Sequence, residues 1–265
     1  MPNAQSLKQR HALITGASRG IGAAIARELA RAGANLTLLG RDAEHLEALA
    51  KTLDQQASIC VLAVDITDHK ALEAAIQQAL SALGPVNILI NNAGQALSQP
   101  FEKTDLAVWQ RMIDVNLTGT YACTRAVLAS MVLAASQGIP GRIINVASTA
   151  GLKGYPYVTA YVAAKHGVVG LTRALALELA RKAITVNAIC PGFTDTDLTQ
   201  RALENIVHQT GKTPEQAYAA LVSNNPQQRL VGPEEVARTV LWLCQSESNS
   251  INGQAIAIDG GELAR

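Results

Sequence analysis

The feature that most constrains this chain is a regular alternation of short β-rich runs with longer helical patterns. Runs rich in Ile, Val, Leu and Thr fall at 11–15, 35–39, 59–64, 86–90, 142–147, 184–189 and 255–258. Helical patterns occupy 21–32, 42–54, 70–83, 106–115, 119–136 and 160–181. Several of the short runs are continuously apolar, the pattern of strands covered on both faces. Strand and helix repeating in this way close by right-handed crossovers. The pattern therefore predicts an α/β fold, a doubly wound parallel sheet of about seven strands with helices on both faces. A chain of 265 residues that is 48% hydrophobic has material for one sizeable core. No linker or repeat divides it, so 1–265 reads as a single domain. One stretch, 193–230, breaks the rhythm with a polar, weakly helical piece between the sixth and seventh strands. Ligands of open α/β sheets bind beyond the carboxyl ends of the strands, where such an insertion would cover a substrate. A decorated surface loop is the plainer alternative.

Charge narrows the partners. With 22 basic and 21 acidic residues, the chain has no basic field to draw nucleic acid or anionic lipid. The opening residues lack an apolar signal core, and no uninterrupted apolar run of about 18 residues is present, so no membrane partner is expected. Cys60, Cys123, Cys190 and Cys244 are far apart in sequence and read as free thiols, which suits a reducing cytoplasm. No His or Cys cluster has metal-ligand spacing, and no metal is expected.

Directly after the first strand comes Thr15-Gly16-Ala17-Ser18-Arg19-Gly20-Ile21-Gly22, leading into a helix. Glycines there permit a tight turn and let the backbone approach a pyrophosphate, while the helix N-terminus offers free N–H groups. A plain strand-to-helix turn would use glycine too, but this place in an alternating chain favours a dinucleotide. An NAD site usually ends the second strand with an acid that binds the ribose 2′-hydroxyl. Here Gly40 and Arg41 take that place, and Arg19 lies in the glycine loop. Two guanidinium groups suit a 2′-phosphate, so NADP(H) is favoured over NAD(H). The alternative is that Arg41 pairs with Asp42 or Glu44.

Further motifs follow in order: Asn91-Asn92-Ala93-Gly94, Asn116 in Val-Asn-Leu-Thr-Gly, Ser148, Tyr161-Val-Ala-Ala-Lys165 and Pro191-Gly192. With the glycine loop, this set resembles the short-chain dehydrogenase/reductase family over nearly the whole chain, and broadly resembles members that reduce 3-oxoacyl thioesters and polyketides. The resemblance implies a Rossmann-like fold. The residue chemistry agrees. Reducing a ketone requires a proton for the developing alkoxide, and a tyrosine with a pKa of about 10 holds its proton too tightly near neutral pH. Lys165, one helical turn on from Tyr161, lies on the same helix face, where its charge would favour the phenolate. Ser148, at a strand end, could donate to the same carbonyl oxygen. Tyr155 and Tyr157 are alternative acids, but neither has a lysine four residues later.

The resemblance also implies roles that the residues alone do not establish. Lys165 would hold the nicotinamide ribose, and Asn116 would hold a water of a proton relay. Asn92, Ala93 and Gly94 would line the adenosine ribose, with Asn91 structural. Asp65 would accept from the adenine amino group with Ile66 nearby, unless Asp65 caps the following helix. Pro191 and Gly192 would border the cofactor. Thr194 would bind its carboxamide, unless its hydroxyl satisfies its own turn. A homotetramer is implied, built through the helices at 119–136 and 160–181; the alternative is that these helices only cover the chain's own sheet. His166 projects away from the catalytic face and is expected to have no catalytic role. The reaction expected is interconversion of a ketone and a secondary alcohol by a small-molecule oxidoreductase. The alternatives are an NAD-dependent dehydrogenase of a hydroxyacyl, cyclic or steroid-like alcohol, a non-catalytic dinucleotide sensor, and a methyltransferase.

Overall fold

A computed structural model describes residues 6–53 and 57–264. Strands β1 (His11–Thr15), β2 (Asn35–Gly40), β3 (Ile59–Ala63), β4 (Ile88–Asn91), β5 (Gly141–Val146), β6 (Ile184–Pro191) and β7 (Ala255–Ile258) form one parallel sheet in the order β3-β2-β1-β4-β5-β6-β7. The expected doubly wound sheet is present. Its order reverses between β1 and β4, which lie side by side with Ile14 opposite Ile90. Connections leave that pair toward opposite edges, so a crevice opens beyond their carboxyl ends.

The helices are α1 (Gly20–Arg31), α2 (Ala43–Thr52), α3 (His69–Leu83), α4 (Leu106–Ile113), α5 (Gly119–Ser136), α6 (Thr159–Leu179), α7 (Asp197–Thr210), α8 (Pro214–Val222) and α9 (Pro233–Cys244). Neighbouring residues of a strand face opposite layers. Ile14 joins Ile25 and Leu29 of α1 and Val236 and Val240 of α9, whereas Leu13 joins Ile76 of α3 and Val127 and Met131 of α5. Each such side chain stabilises the fold by roughly 1.5–3 kcal/mol when fully buried.

Three departures from the sequence reading are informative. The helix expected over 42–54 ends at Thr52, and residue 54 lies outside the described residues. The helix expected to stop at 115 does not stop. It passes through a π turn, Asp114–Thr118, into α5. The resulting run, Leu106–Ser136, is long and apolar enough by length and composition to cross a membrane; here it is the crossover from β4 to β5. Third, α9 was not read from periodicity, although Pro233 at the first helical position and Glu235, which accepts from the Gly232 N–H at 2.7 Å, form a helix-start signature. The same signature, Thr213-Pro214 with Gln216, opens α8 inside the insertion.

Candidate active site

The glycine loop is locked to the end of β4 by side chains as well as by close packing. Gly16 has φ +64°, and a Cβ there would lie 2.8 Å from the Ala93 Cα. Any other residue would be strained in backbone and in space. Asn92 Nδ2 donates to the Thr15 and Gly16 carbonyls, both at 3.0 Å, and the Asn92 and Ala93 N–H groups donate to Thr15 Oγ1 at 3.0 Å. Gly22 is pressed against Asn92 too, with a Cβ 2.6 Å from Nδ2. Arg19 is the N-cap of α1 and supplies no side-chain cap, so the first N–H groups, near Gly20 and Ile21, need a partner. With Ser18 half-buried at the turn, this is a cradle for a phosphate.

Gly40 ends β2 and no acid projects from the strand end. The Arg41 side chain is 68% exposed and stands 3.9 Å from the Asp65 carboxylate, not against Asp42 or Glu44. Asp42 instead caps α2 and pairs with His45. Arg19 reaches Asp197 of α7 at 3.3 Å, also at the surface. Exposed pairs of this kind contribute about 0–1 kcal/mol, so a phosphate can displace either partner. Asp65 accepts from the Thr67 N–H and hydroxyl at 3.0 and 2.8 Å, while Asp68, not Asp65, caps α3. Ile66 is buried against Gly119.

The residues expected to be catalytic converge at the ends of β5 and β6. Ser148 follows β5 and caps a short turn, Thr149–Gly151, with its Oγ accepting from the Ala150 N–H at 3.1 Å. Tyr161 and Lys165 lie in the first turns of α6, with Lys165 Nζ 5.6 Å from the Tyr161 ring centre. Lys165 is 4% exposed and has no carboxylate partner among the described residues; Nζ donates to the Val146 carbonyl at 2.8 Å. Burial pushes its pKa down to about 8. Burial also pushes the Tyr161 hydroxyl up, opposed by its hydrogen bond with Ser148. A buried ammonium without a counter-ion is costly, which makes it a candidate functional group. Asn116 sits inside the π turn, fully buried: Oδ1 accepts from the Gln95 N–H, and Nδ2 donates both its protons to the Gln95 and Met112 carbonyls. A Cβ on Gly94 would meet Asn116 Oδ1 at 2.8 Å and Lys165 Nζ at 3.6 Å. The π turn thus brings Asn116 beside the lysine.

Other expected positions resolve simply. Asn91 is structural: Nδ2 donates to Thr124 Oγ1 and Asn145 Oδ1, and Asn145 in turn donates to Thr172 of α6. Pro191 ends β6, and the Gly192 N–H donates to Ile258. Thr194 is buried and its hydroxyl donates to the Gly192 carbonyl at 3.0 Å, the turn-satisfying alternative. His166 is exposed and bonded to the Val162 carbonyl. Tyr155 is unsuited as the acid. Its oxygen lies 2.6 Å from the Glu262 carboxylate and 2.8 Å from Thr149 Oγ1. Burial and Glu262 hold its proton on. Lys153 is paired with the same carboxylate at 2.9 Å. Thr15, Asn145, Thr172 and Glu262 all act on partners distant in sequence, so local spacing carried no sign of them. Among the described residues, no group of three or more His, Cys, Asp or Glu is placed to hold a metal ion.

Residues 10–206 match the family model described as short chain dehydrogenase. The chain belongs to the short-chain dehydrogenase family. Within it, the chain is 39% identical to ketoacyl reductase 1 of the granaticin polyketide synthase from Streptomyces violaceoruber, covering 94% of this chain and 92% of that protein. It is 36% identical to the D-β-hydroxybutyrate dehydrogenase of Rhizobium meliloti, over 96% and 98% of the two chains. A variant of actinorhodin polyketide ketoreductase solved with NADPH superposes with a TM-score of 0.91 at 34% identity, covering 98% of this chain and 99% of that one. This protein is therefore an oxidoreductase acting on CH–OH and C=O groups.

Proposed function

We propose that this dehydrogenase reduces a ketone to a secondary alcohol with NADPH, and that the ketone is a 3-oxoacyl thioester or polyketide-like carbonyl. The observation that carries the chemistry is the buried Lys165, unpaired with any acid and lying under Tyr161. The cradle fits a dinucleotide: Gly16 and Gly22 leave no room for a Cβ, and α1 starts without a side-chain cap. Ser18, Gly20, Ile21 and Gly22 would hold the pyrophosphate, and Arg19 and Arg41 a 2′-phosphate. Asp65, Ile66, Asn92, Ala93 and Gly94 would border the adenosine. Pro191, Gly192 and Thr194 would border the nicotinamide end.

A bound reduced nicotinamide supplies the hydride. Ser148 and Tyr161 donate to the carbonyl oxygen, and Tyr161 releases its proton as negative charge develops there. The Lys165 ammonium opposes the cost of leaving a phenolate in a buried place. Asn116 fixes the Gln95 peptide and the π turn, keeping Lys165 near the path by which the proton is replaced. The 193–230 segment covers the substrate, with Leu97, Tyr157 and Phe193 exposed at the mouth. Tyr157 has φ +66°, a strained conformation for a tyrosine, held by the Gln99 N–H donating to its carbonyl at 2.7 Å.

The four free cysteines support a reducing, cytoplasmic setting. The exposed Tyr121, Leu133 and Leu177 on α5 and α6 support a homotetramer, which light scattering at micromolar concentration tests. A second reading, NAD-dependent oxidation of a hydroxyacyl, cyclic or steroid-like alcohol, is favoured by the D-β-hydroxybutyrate dehydrogenase relative. Following absorbance of NADPH and NADH with a panel of 3-oxo esters, 3-oxoacyl thioesters, cyclic ketones and the matching alcohols separates the two. Faster turnover of alcohols with NAD⁺ than of any ketone with NADPH defeats the first reading.

A further inference from the structure

The segments that leave β5, β6 and β7 are joined by one side chain that lies outside the catalytic set. Glu262 stands in the turn after β7, and its side chain is 3% exposed. Its Oε1 accepts from Lys153 Nζ at 2.9 Å and from the Tyr155 hydroxyl at 2.6 Å. Its Oε2 faces Gly192, 3.5 Å from where a Cβ would stand. Tyr155 has a single hydroxyl proton, and a carboxylate is the stronger acceptor, so that proton points to Glu262. The 2.8 Å contact with Thr149 is then a bond that Thr149 donates, and Thr149 is the residue next to Ser148. The Tyr155 ring also meets Phe193 edge-on, with centres 6.3 Å apart. Phe193 begins the covering segment.

The turn that carries Glu262 is itself rigid. Asp259 accepts from the Gly261 and Leu263 N–H groups, both at 2.9 Å. Gly260, at φ +64°, is packed tightly against Asn225 at the end of the covering segment. A cavity of about 370 Å³ lies along this seam, lined by Leu152, Lys153, Asn224, Glu262 and Leu263.

We propose that Glu262 is a positioning residue for the carbonyl substrate. Acting through Tyr155 and Thr149, it clamps the wall that carries Ser148 against the root of the covering segment. The clamp reaches the substrate side of the crevice and leaves the glycine cradle untouched, so its loss raises the KM of the ketone and not that of the cofactor. This rests on the carbonyl-reductase reading above.

The test compares Glu262→Ala, Glu262→Gln, Tyr155→Phe and the double variant Glu262→Ala/Tyr155→Phe in the full-length protein, with ethyl acetoacetate as the first probe. Glu262→Ala is expected to raise the KM of the ketone about tenfold, the size of one lost charge-assisted hydrogen bond. The KM of the nicotinamide cofactor stays within about twofold. Glu262→Gln keeps an acceptor for the Tyr155 hydroxyl and restores most of the loss. The double variant is no worse than Glu262→Ala alone, because the Tyr155 and Thr149 contacts transmit the clamp only while Glu262 holds it. Amide hydrogen exchange, read without turnover, quickens in the 148–157 segment of Glu262→Ala and is unchanged in α9. A purely structural role would lower Tm and leave the ketone KM where it was. That result, equal rises in both KM values, or a Gln variant as weak as Ala overturns the proposal. Should the wild-type protein reduce no ketone in the panel, the carbonyl-reductase reading fails alone. Exchange in 148–157 then decides: quickening sustains the clamp, and its absence overturns it.

Discussion

The two halves of the crevice are made of different material. Beyond β1 and β4, recognition is built from backbone: a glycine loop packed so that a Cβ on Gly16 would lie 2.8 Å from Ala93, an uncapped helix start, and the Asn92 and Ala93 amides held by Thr15. Beyond β5, β6 and β7 it is built from side chains: Tyr161 and Lys165, both shifted by burial, and, further out, Glu262. The contrast follows from the tasks. A pyrophosphate needs many N–H donors at short range, which only main chain approached closely can supply. A proton transfer needs one group of tuned pKa, and burial is what tunes it.

The contrast can be broken at its strongest point first. Tyr161→Phe removes one oxygen from the side-chain half and should lower turnover by about a hundredfold or more, with cofactor affinity nearly unchanged. Near-normal kcat in that variant would mean that another group supplies the proton. In the backbone half, side chains should matter only where a charge meets the ligand. Arg41→Ala is expected to weaken NADPH about tenfold to a hundredfold and NADH little, as measured by fluorescence titration. A wild-type protein that already prefers NADH would show that the missing acid at Gly40 had been misread.

The smallest effect concerns stability. Lys165 titrates at about 8 in the folded protein against 10.5 for the free side chain. Between those values the unfolded chain holds a proton that the folded chain has lost. Folded-state stability from this group therefore rises with pH across that window, and its cost is fully present below it. Lys165→Met lacks this dependence. Denaturation at pH 7 and pH 9.5 should show the wild type gaining on the variant by about 2 kcal/mol at the higher pH. A constant difference would mean that the ammonium is not desolvated as its burial implies.

Much of this was legible in the chain itself, and the reasons are local. Apolar-rich runs such as 11–15 and 184–189 suit strands covered on both faces of a parallel sheet, and both strands lie there, the second running on to Pro191. Tyr161 and Lys165 share a helix face because they are four residues apart, a relation that any helix enforces. Short-range signals were readable at α8 and α9 as well, in proline and a carboxylate or amide at the helix start.

Neighbouring residues sufficed for the alternation of strands and helices, the glycine turn and the pairing of Tyr161 with Lys165 on one helix face, since each depends on residues within a few positions of one another. Tertiary structure alone decided that Arg41 faces Asp65 and not Asp42, that a π turn carries Asn116 to Gly94 and Lys165, and that Glu262 holds Tyr155 and Lys153 across 107 and 109 positions of chain. Contacts between distant segments depend on how the strand ends are brought together, and no periodicity along the chain encodes that. The charge state of Lys165 belongs with them, because it comes from the burial that the assembled fold imposes.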